Sequence, residues 1–174
     1  RGDDDVSSIY MYRSKPIRHF PQNLEKFFKN LQIIAIVMVN LQAVHQSDLK
    51  VFPRLRVLYL DSNEIEVLEK DLLAFNKRLE FVNFSNNRIK QVDVSVFRGL
   101  NNLKSLYFEY NDCYSHKAIN NRIDTLALIK DIRDSCYVDL LLESGVEEFT
   151  KLKLEFKEML REVSSLRSQN EELK

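Results

Sequence analysis

Two cysteines, three histidines, 26 carboxylates and one glycosylation sequon are the residues of this 174-residue chain that could do chemistry beyond folding. Cys113 and Cys136 lie 23 positions apart and could close a disulfide. A metal site would need further ligands that no nearby CxxC or paired histidine supplies, and a reactive thiol would need a histidine partner that is not evident. The residues favour the disulfide over these two alternatives, and a disulfide implies an oxidising compartment. His19, His45 and His116 are scattered, the three glycines build no phosphate loop, and Asp61 and Glu109 stand two repeat lengths apart. This inventory points to no enzyme, no metal and no cofactor. Asn83-Phe84-Ser85 is an N-glycosylation sequon, which matters only on a secretory route. Arg1-Gly2-Asp3 reads either as an integrin-type tripeptide or as part of a solvated tail.

Such residues need elements to position them, and the elements announce themselves by repetition. Leu31, Ile34, Ile36 and Leu41 return as Leu55, Leu58, Leu60 and Ile65, then as Leu79, Val82, Phe84 and Ile89, then as Leu103, Leu106 and Phe108. The period is 24 residues, and Asn63, Asn87 and Asn111 recur with it. This is the leucine-rich repeat consensus LxxLxLxxNxL. An asparagine buried at the end of each strand can bond backbone groups that a tight coil would orphan. Counting back, Tyr10, Tyr12, Ile17, Phe20, Leu24 and Phe27 fit a degenerate copy over 7–30, with Lys15 in place of the asparagine and Val39 in the next copy.

The expected fold class is an α/β solenoid: a short repeat domain of about five right-handed coils with a parallel sheet on its concave face. Segments such as FPQNLEKFFKN and VLEKDLLAF read as short helices or helical turns on the convex face. Between the cysteines, Ile119, Ile123, Leu126, Ile129 and Ile132 recur at helical spacing, predicting a helix that covers the open end. Beyond Gly145, Phe149, Leu152, Phe156, Met159, Val163, Leu166, Asn170 and Leu173 alternate steps of three and four, a coiled-coil seam. Glu148 and Glu162 would face Lys153 and Arg167 of a parallel partner helix, and Asn170 in the seam favours a dimer. The expected boundaries are 1–6 tail, 7–112 repeats, 113–144 cap with disulfide and 145–174 coil.

At outward strand positions the 24-residue count presents Met11, Ala35, Tyr59, Asn83 and Tyr107 in one column and Ile9, Ile33, Val57, Phe81 and Ser105 in the next. Met11, Ile33, Tyr59, Phe81 and Tyr107 are therefore the candidate partner-binding residues, unless the column is a stacked ladder that only stiffens the sheet. Lysine plus arginine balance aspartate plus glutamate at 26 each, so no global field draws the chain to nucleic acid or an anionic membrane. No run approaches the roughly 20 apolar residues of a spanning helix, and a chain opening on Arg1 reads as processed or trimmed.

Repeats of 24, a cysteine-bearing cap and a terminal coil resemble, in that order, the leucine-rich immune molecules of mosquitoes and related insect secreted repeat proteins. The resemblance implies a secreted, extracellular scaffold of innate immunity or host interaction, holding a complement-like thioester protein and forming a homodimer, or a heterodimer with a related chain, through its coil. From a different class, an intracellular repeat adaptor of cytoskeletal or kinetochore type would carry free thiols.

Overall fold

The computed structural model describes residues 6–93 and 95–137. The seam from Phe149 to Leu173, and the cap beyond Tyr137, lie outside the described residues. Five parallel strands form the concave sheet: β1 (Ser8–Tyr12), β2 (Ile33–Val37), β3 (Val57–Tyr59), β5 (Phe81–Asn83) and β7 (Ser105–Tyr107). Four turns of the solenoid link them. The connections carry two single-turn helices, α1 (Leu24–Phe27) and α2 (Gln46–Leu49), and the paired strands β4 (Val67–Leu68) and β6 (Gln91–Val92). An antiparallel strand β8 (Lys117–Ala118) closes the sheet against β7, and α3 (Arg122–Cys136) packs across β6, β7 and β8.

The repeat pattern accounts for the core. Ile34, Ile36, Leu58, Leu60, Val82, Phe84, Leu106 and Phe108 point inward at alternate strand positions, and each is fully buried. Burying such a side chain contributes about 1.5–3 kcal/mol, so these columns hold consecutive coils together. The asparagines satisfy the polar groups this packing encloses. Asn87 donates to the carbonyls of Leu60 (3.0 Å) and Phe84 (3.0 Å) and accepts the N–H of Ile65 (3.0 Å). Asn63 and Asn111 repeat the arrangement one coil before and after. Each asparagine thus staples its own coil to the preceding one.

The residue before each asparagine position is left-handed: Met38 (φ 56°), Ser62 (φ 57°), Asn86 (φ 54°) and Tyr110 (φ 57°). The strand therefore ends in a sharp reversal whose free backbone groups the asparagine collects. A further link lies on the far side, where Asn76 donates to the carbonyls of Leu49 (2.9 Å) and Phe52 (3.0 Å) in the preceding coil.

Three expectations need correction. The first coil does not keep the period: Ser8 pairs with Ile33 and Tyr12 with Val37, an offset of 25, whereas His19 pairs with Ala43 at 24. Seven residues lead from Tyr12 to His19 and six from Val37 to Ala43, so the extra residue sits in the first turn, where Lys15 stands in place of the asparagine. Counting back by 24 consequently misplaces the strand by one, which turns every side chain over. Ile9 and Met11 face the core, while Tyr10 and Tyr12 stand outward, 64% and 59% exposed. Val6 also packs against the core rather than belonging to a solvated tail.

The cap helix buries a face that matches the expected one only in part: Ile132 is buried and Ile129 packs against the core, as the spacing predicts. Thr125, Leu128, Ile132 and Cys136 go inward, whereas Ile119, Ile123 and Leu126 are exposed. Thr125 Oγ1 donates to the Lys104 carbonyl (2.9 Å), and Cys136 bonds to Cys113, so these two ties fix the rotation of the helix. VLEKDLLAF takes the turn form of its expectation rather than the helix: Val67 and Leu68 are extended, and beyond them the N–H groups of Leu72, Ala74 and Asn76 donate to the carbonyls of Glu69, Asp71 and Leu73 in successive turns, with Asp71 left-handed (φ 55°).

Candidate functional site

Alternation along each short strand sends every second side chain to the concave surface, and parallel register stacks them in columns. One column runs Tyr10, Ala35, Tyr59, Asn83, Tyr107, and the neighbouring one runs Ser8, Ile33, Val57, Phe81, Ser105. Ile33, Tyr59, Phe81 and Tyr107 thus stand where the 24-residue count places them. Met11 does not: it aligns with the buried Ile36, and Tyr10 occupies its place. Ser105 is also withdrawn, buried beneath the cap loop with its hydroxyl oxygen accepting the Asn120 N–H (2.9 Å).

Phe81 links the two columns. Its ring centroid lies 4.7 Å from Tyr59 and 5.2 Å from Tyr107, both tilted contacts. Aromatic pairs of this kind contribute about 0.5–1.5 kcal/mol beyond area burial, so the three rings are braced rather than loose. They remain half-buried, with their outer faces open. Ala35 lies between Tyr10 and Tyr59 in the column and reaches no further than Cβ. An open pocket of about 370 Å³ forms there, walled by Tyr10, Tyr12, Val37, Tyr59, Asp61 and Asn83.

Charges on either side of the aromatic columns differ in how they are answered. In the column before them, Arg56 Nε meets Glu80 at 2.7 Å, and this hydrogen bond holds the Glu80 carboxyl below its ordinary value. In the column after them, Glu109 meets Lys117 at 3.0 Å, and Lys117 Nζ also lies 5.9 Å from the Tyr107 ring centroid. Among the described residues, Asp61 has no such cation. Burial pushes its carboxyl up, against the lowering effect of its own backbone N–H and the Ser62 hydroxyl. Tyr59 is raised as well, first by burial and then by the nearby Asp61 charge.

The sequon lies inside this surface. Asn83 Oδ1 accepts the Ser85 N–H (2.9 Å), and the Ser85 hydroxyl oxygen accepts the Glu109 N–H (3.1 Å). Cys113 and Cys136 form a disulfide, with Cα atoms 5.1 Å apart, so neither thiol is free. Among the described residues, no group of three or more His, Cys, Asp or Glu is placed to hold a metal, and no helix is long and apolar enough to cross a membrane.

The sequence reading missed Tyr10, Tyr12 and the openness at Ala35. The one-residue excess after β1 hides the first two, and the only hint is the interruption Arg13-Ser14-Lys15-Pro16 where a regular copy would carry its asparagine turn. No family model matches the chain. It is 26% identical over 136 residues, 78% of its length, to Toll-like receptor 10 of Bos taurus, and spans 15% of that receptor. Its fold is similar to a chain in the structure of the Toll–Spatzle complex, a molecular hub in Drosophila development and innate immunity. The TM-score is 0.57 and the identity 18%, over 62% of this chain and 14% of the other. Both likenesses fit a leucine-rich repeat fold.

Proposed function

We propose that this chain is a non-enzymatic, secreted protein-binding scaffold of innate immunity or host interaction whose recognition face is the concave sheet. The observation that carries the reading is the braced row Tyr59–Phe81–Tyr107, three aromatic rings held half-open on a rigid sheet. Rings in such a position supply large contact area at small entropic cost, as interface anchors do. The disulfide supports an extracellular setting over the adaptor with free thiols. Likeness to Toll-like receptor 10 and to a chain of the Toll–Spatzle complex supports an immune role with a protein partner. A complement-like thioester protein is one such partner. Dimerisation through Phe149 to Leu173 completes the proposal: light scattering should give twice the monomer mass for the full chain and the monomer mass for a version ending at Ser144.

Quantitative affinity capture from the source organism's body fluid tests the recognition face. A partner enriched on the wild-type protein should disappear when Tyr59→Ala and Phe81→Ala are combined in folded protein. Retention of every captured protein by that variant would contradict the reading. A glycan on Asn83 would stand beside Tyr59 and Tyr107, so full occupancy there would move recognition to the convex side or the coil.

A further inference from the structure

The concave face contains the same pair of groups twice, once satisfied and once open. Tyr107 and Glu109 stand in β7 and the residues after it, and Tyr59 and Asp61 hold the corresponding places two coils earlier. At the later pair Lys117 lies against both partners, 3.0 Å from the carboxylate and 5.9 Å from the ring centroid. A strand reversing direction after β7 delivers that lysine. Among the described residues no returning strand reaches Tyr59 and Asp61: Asn83 of β5 stands beside Tyr59 in register where Lys117 stands beside Tyr107, and the open space lies on the other flank of Tyr59, in the pocket of about 370 Å³ beside Ala35. Its walls beyond Tyr59 are two further tyrosines, Tyr10 and Tyr12.

We propose that this pocket receives a lysine or arginine side chain of the protein partner, its stem against Tyr10 and Tyr59 and its charge on Asp61. The chemistry is that of the internal model at Lys117. Tyrosine faces attract a cation through their negative quadrupole, and a partly desolvated carboxylate pairs with it more strongly than a fully solvated one. Asp61 is half-buried, makes no ion pair among the described residues and is raised by burial, as an acceptor waiting for its counter-ion would be. Arg13 does not answer Asp61: its guanidinium lies 5.2 Å from the ring centroid of Tyr12, one wall of the pocket, and its Nε donates to Met38 Sδ. Alanine at position 35 is what makes room, since a larger side chain in that column would fill the gap between the two rings.

The inference rests on the concave face being the recognition face, and it can be tested apart from the partner. The probe is acetyl-Gly-Arg-Gly-amide, titrated into isotope-labelled protein by NMR, with the citrulline peptide as an isosteric neutral control. Saturable shifts should appear at Tyr10, Tyr59 and Asp61, with arginine preferred to citrulline by about tenfold, a difference expected for one partly desolvated charge contact. Asp61→Asn should bring the two peptides to equal, weak binding, and Ala35→Leu should abolish binding of both. Glu109→Gln should change neither, because that carboxylate belongs to Lys117. Equal binding of the two peptides to the wild type, preference surviving in Asp61→Asn, or no saturable shift at these residues would each overturn the assignment. A partner lost with Tyr59→Ala and Phe81→Ala, alongside no arginine preference, would overturn this assignment and leave the scaffold reading intact.

Discussion

The first coil and the four that follow it are built from similar residues, yet only the latter keep step. From β2 to β7 every strand pairs at an offset of 24, whereas β1 pairs with β2 at 25. The difference lies in the reversal after the strand. Asn63, Asn87 and Asn111 each take two carbonyls and at least one N–H from two adjacent coils, so a residue more or fewer would break several buried bonds at once. The second coil carries Val39 at the asparagine position and the first carries Lys15, so no asparagine reaches the first turn from either coil, and that turn accommodates one extra residue. Hydrophobic spacing sets the period, and the asparagine ladder enforces it.

That comparison can be broken most severely at Asn87. Replacing it by alanine should cost about 3 kcal/mol, since three buried bonds go and the Ile65 N–H is left without an acceptor. The equivalent change at exposed Lys15 should stay within about 0.5 kcal/mol. Chemical denaturation of both variants measures the contrast, and equal losses would mean that the ladder does not hold the register. Removing the cross-link with Cys113→Ala and Cys136→Ala should also cost about 3 kcal/mol by the loop-entropy account, with the loss concentrated in the last coil. Hydrogen exchange localises that damage; uniform loss of protection along the solenoid would contradict a local cap.

The register shift itself is sharpened by neighbouring residues of β1. Met11→Ala removes a side chain packed on the core and should cost about 1.5 kcal/mol, less than a fully buried methionine. Tyr10→Ala, which exposes nothing, should leave stability within about 0.5 kcal/mol. The reverse ranking in thermal melts would restore the 24-residue register for β1. The smallest effect belongs to Asp61. Its folded carboxyl is raised above the unfolded value, so ionisation disfavours the folded state; the cost is present above the folded pKa and disappears below the unfolded one. Asp61→Asn should therefore raise the melting temperature slightly at neutral pH, and the gain should close as pH falls through the carboxylate range.

Much of this was legible in the sequence because each repeat restates the same instruction. The inward columns, the asparagine staples, and Ile33, Tyr59, Phe81 and Tyr107 on the outward face all follow from one period and strand alternation. What was not legible had no repeating cue. The extra residue after Tyr12 falls where the pattern has already decayed, and it reverses the roles of Met11 and Tyr10. The cap occurs once, so its apolar residues alone could not say that Thr125 and Cys136, tied to Lys104 and Cys113, would turn Ile123 and Leu126 outward. The open partner of the Glu109–Lys117 pair is visible only once β8 is seen to double back.

The claim on which the functional account depends is that the concave aromatic row makes the partner contact. With a captured partner in hand, its dissociation constant should be measured for the wild type, for Tyr59→Ala with Phe81→Ala, and for Phe75→Ala. Phe75 is an exposed ring in the turn between β4 and β5. The account predicts that the double variant binds at least about a hundredfold more weakly, as loss of two anchors implies, while Phe75→Ala binds as the wild type does. Unchanged affinity in the double variant, or a loss confined to Phe75→Ala, would contradict it.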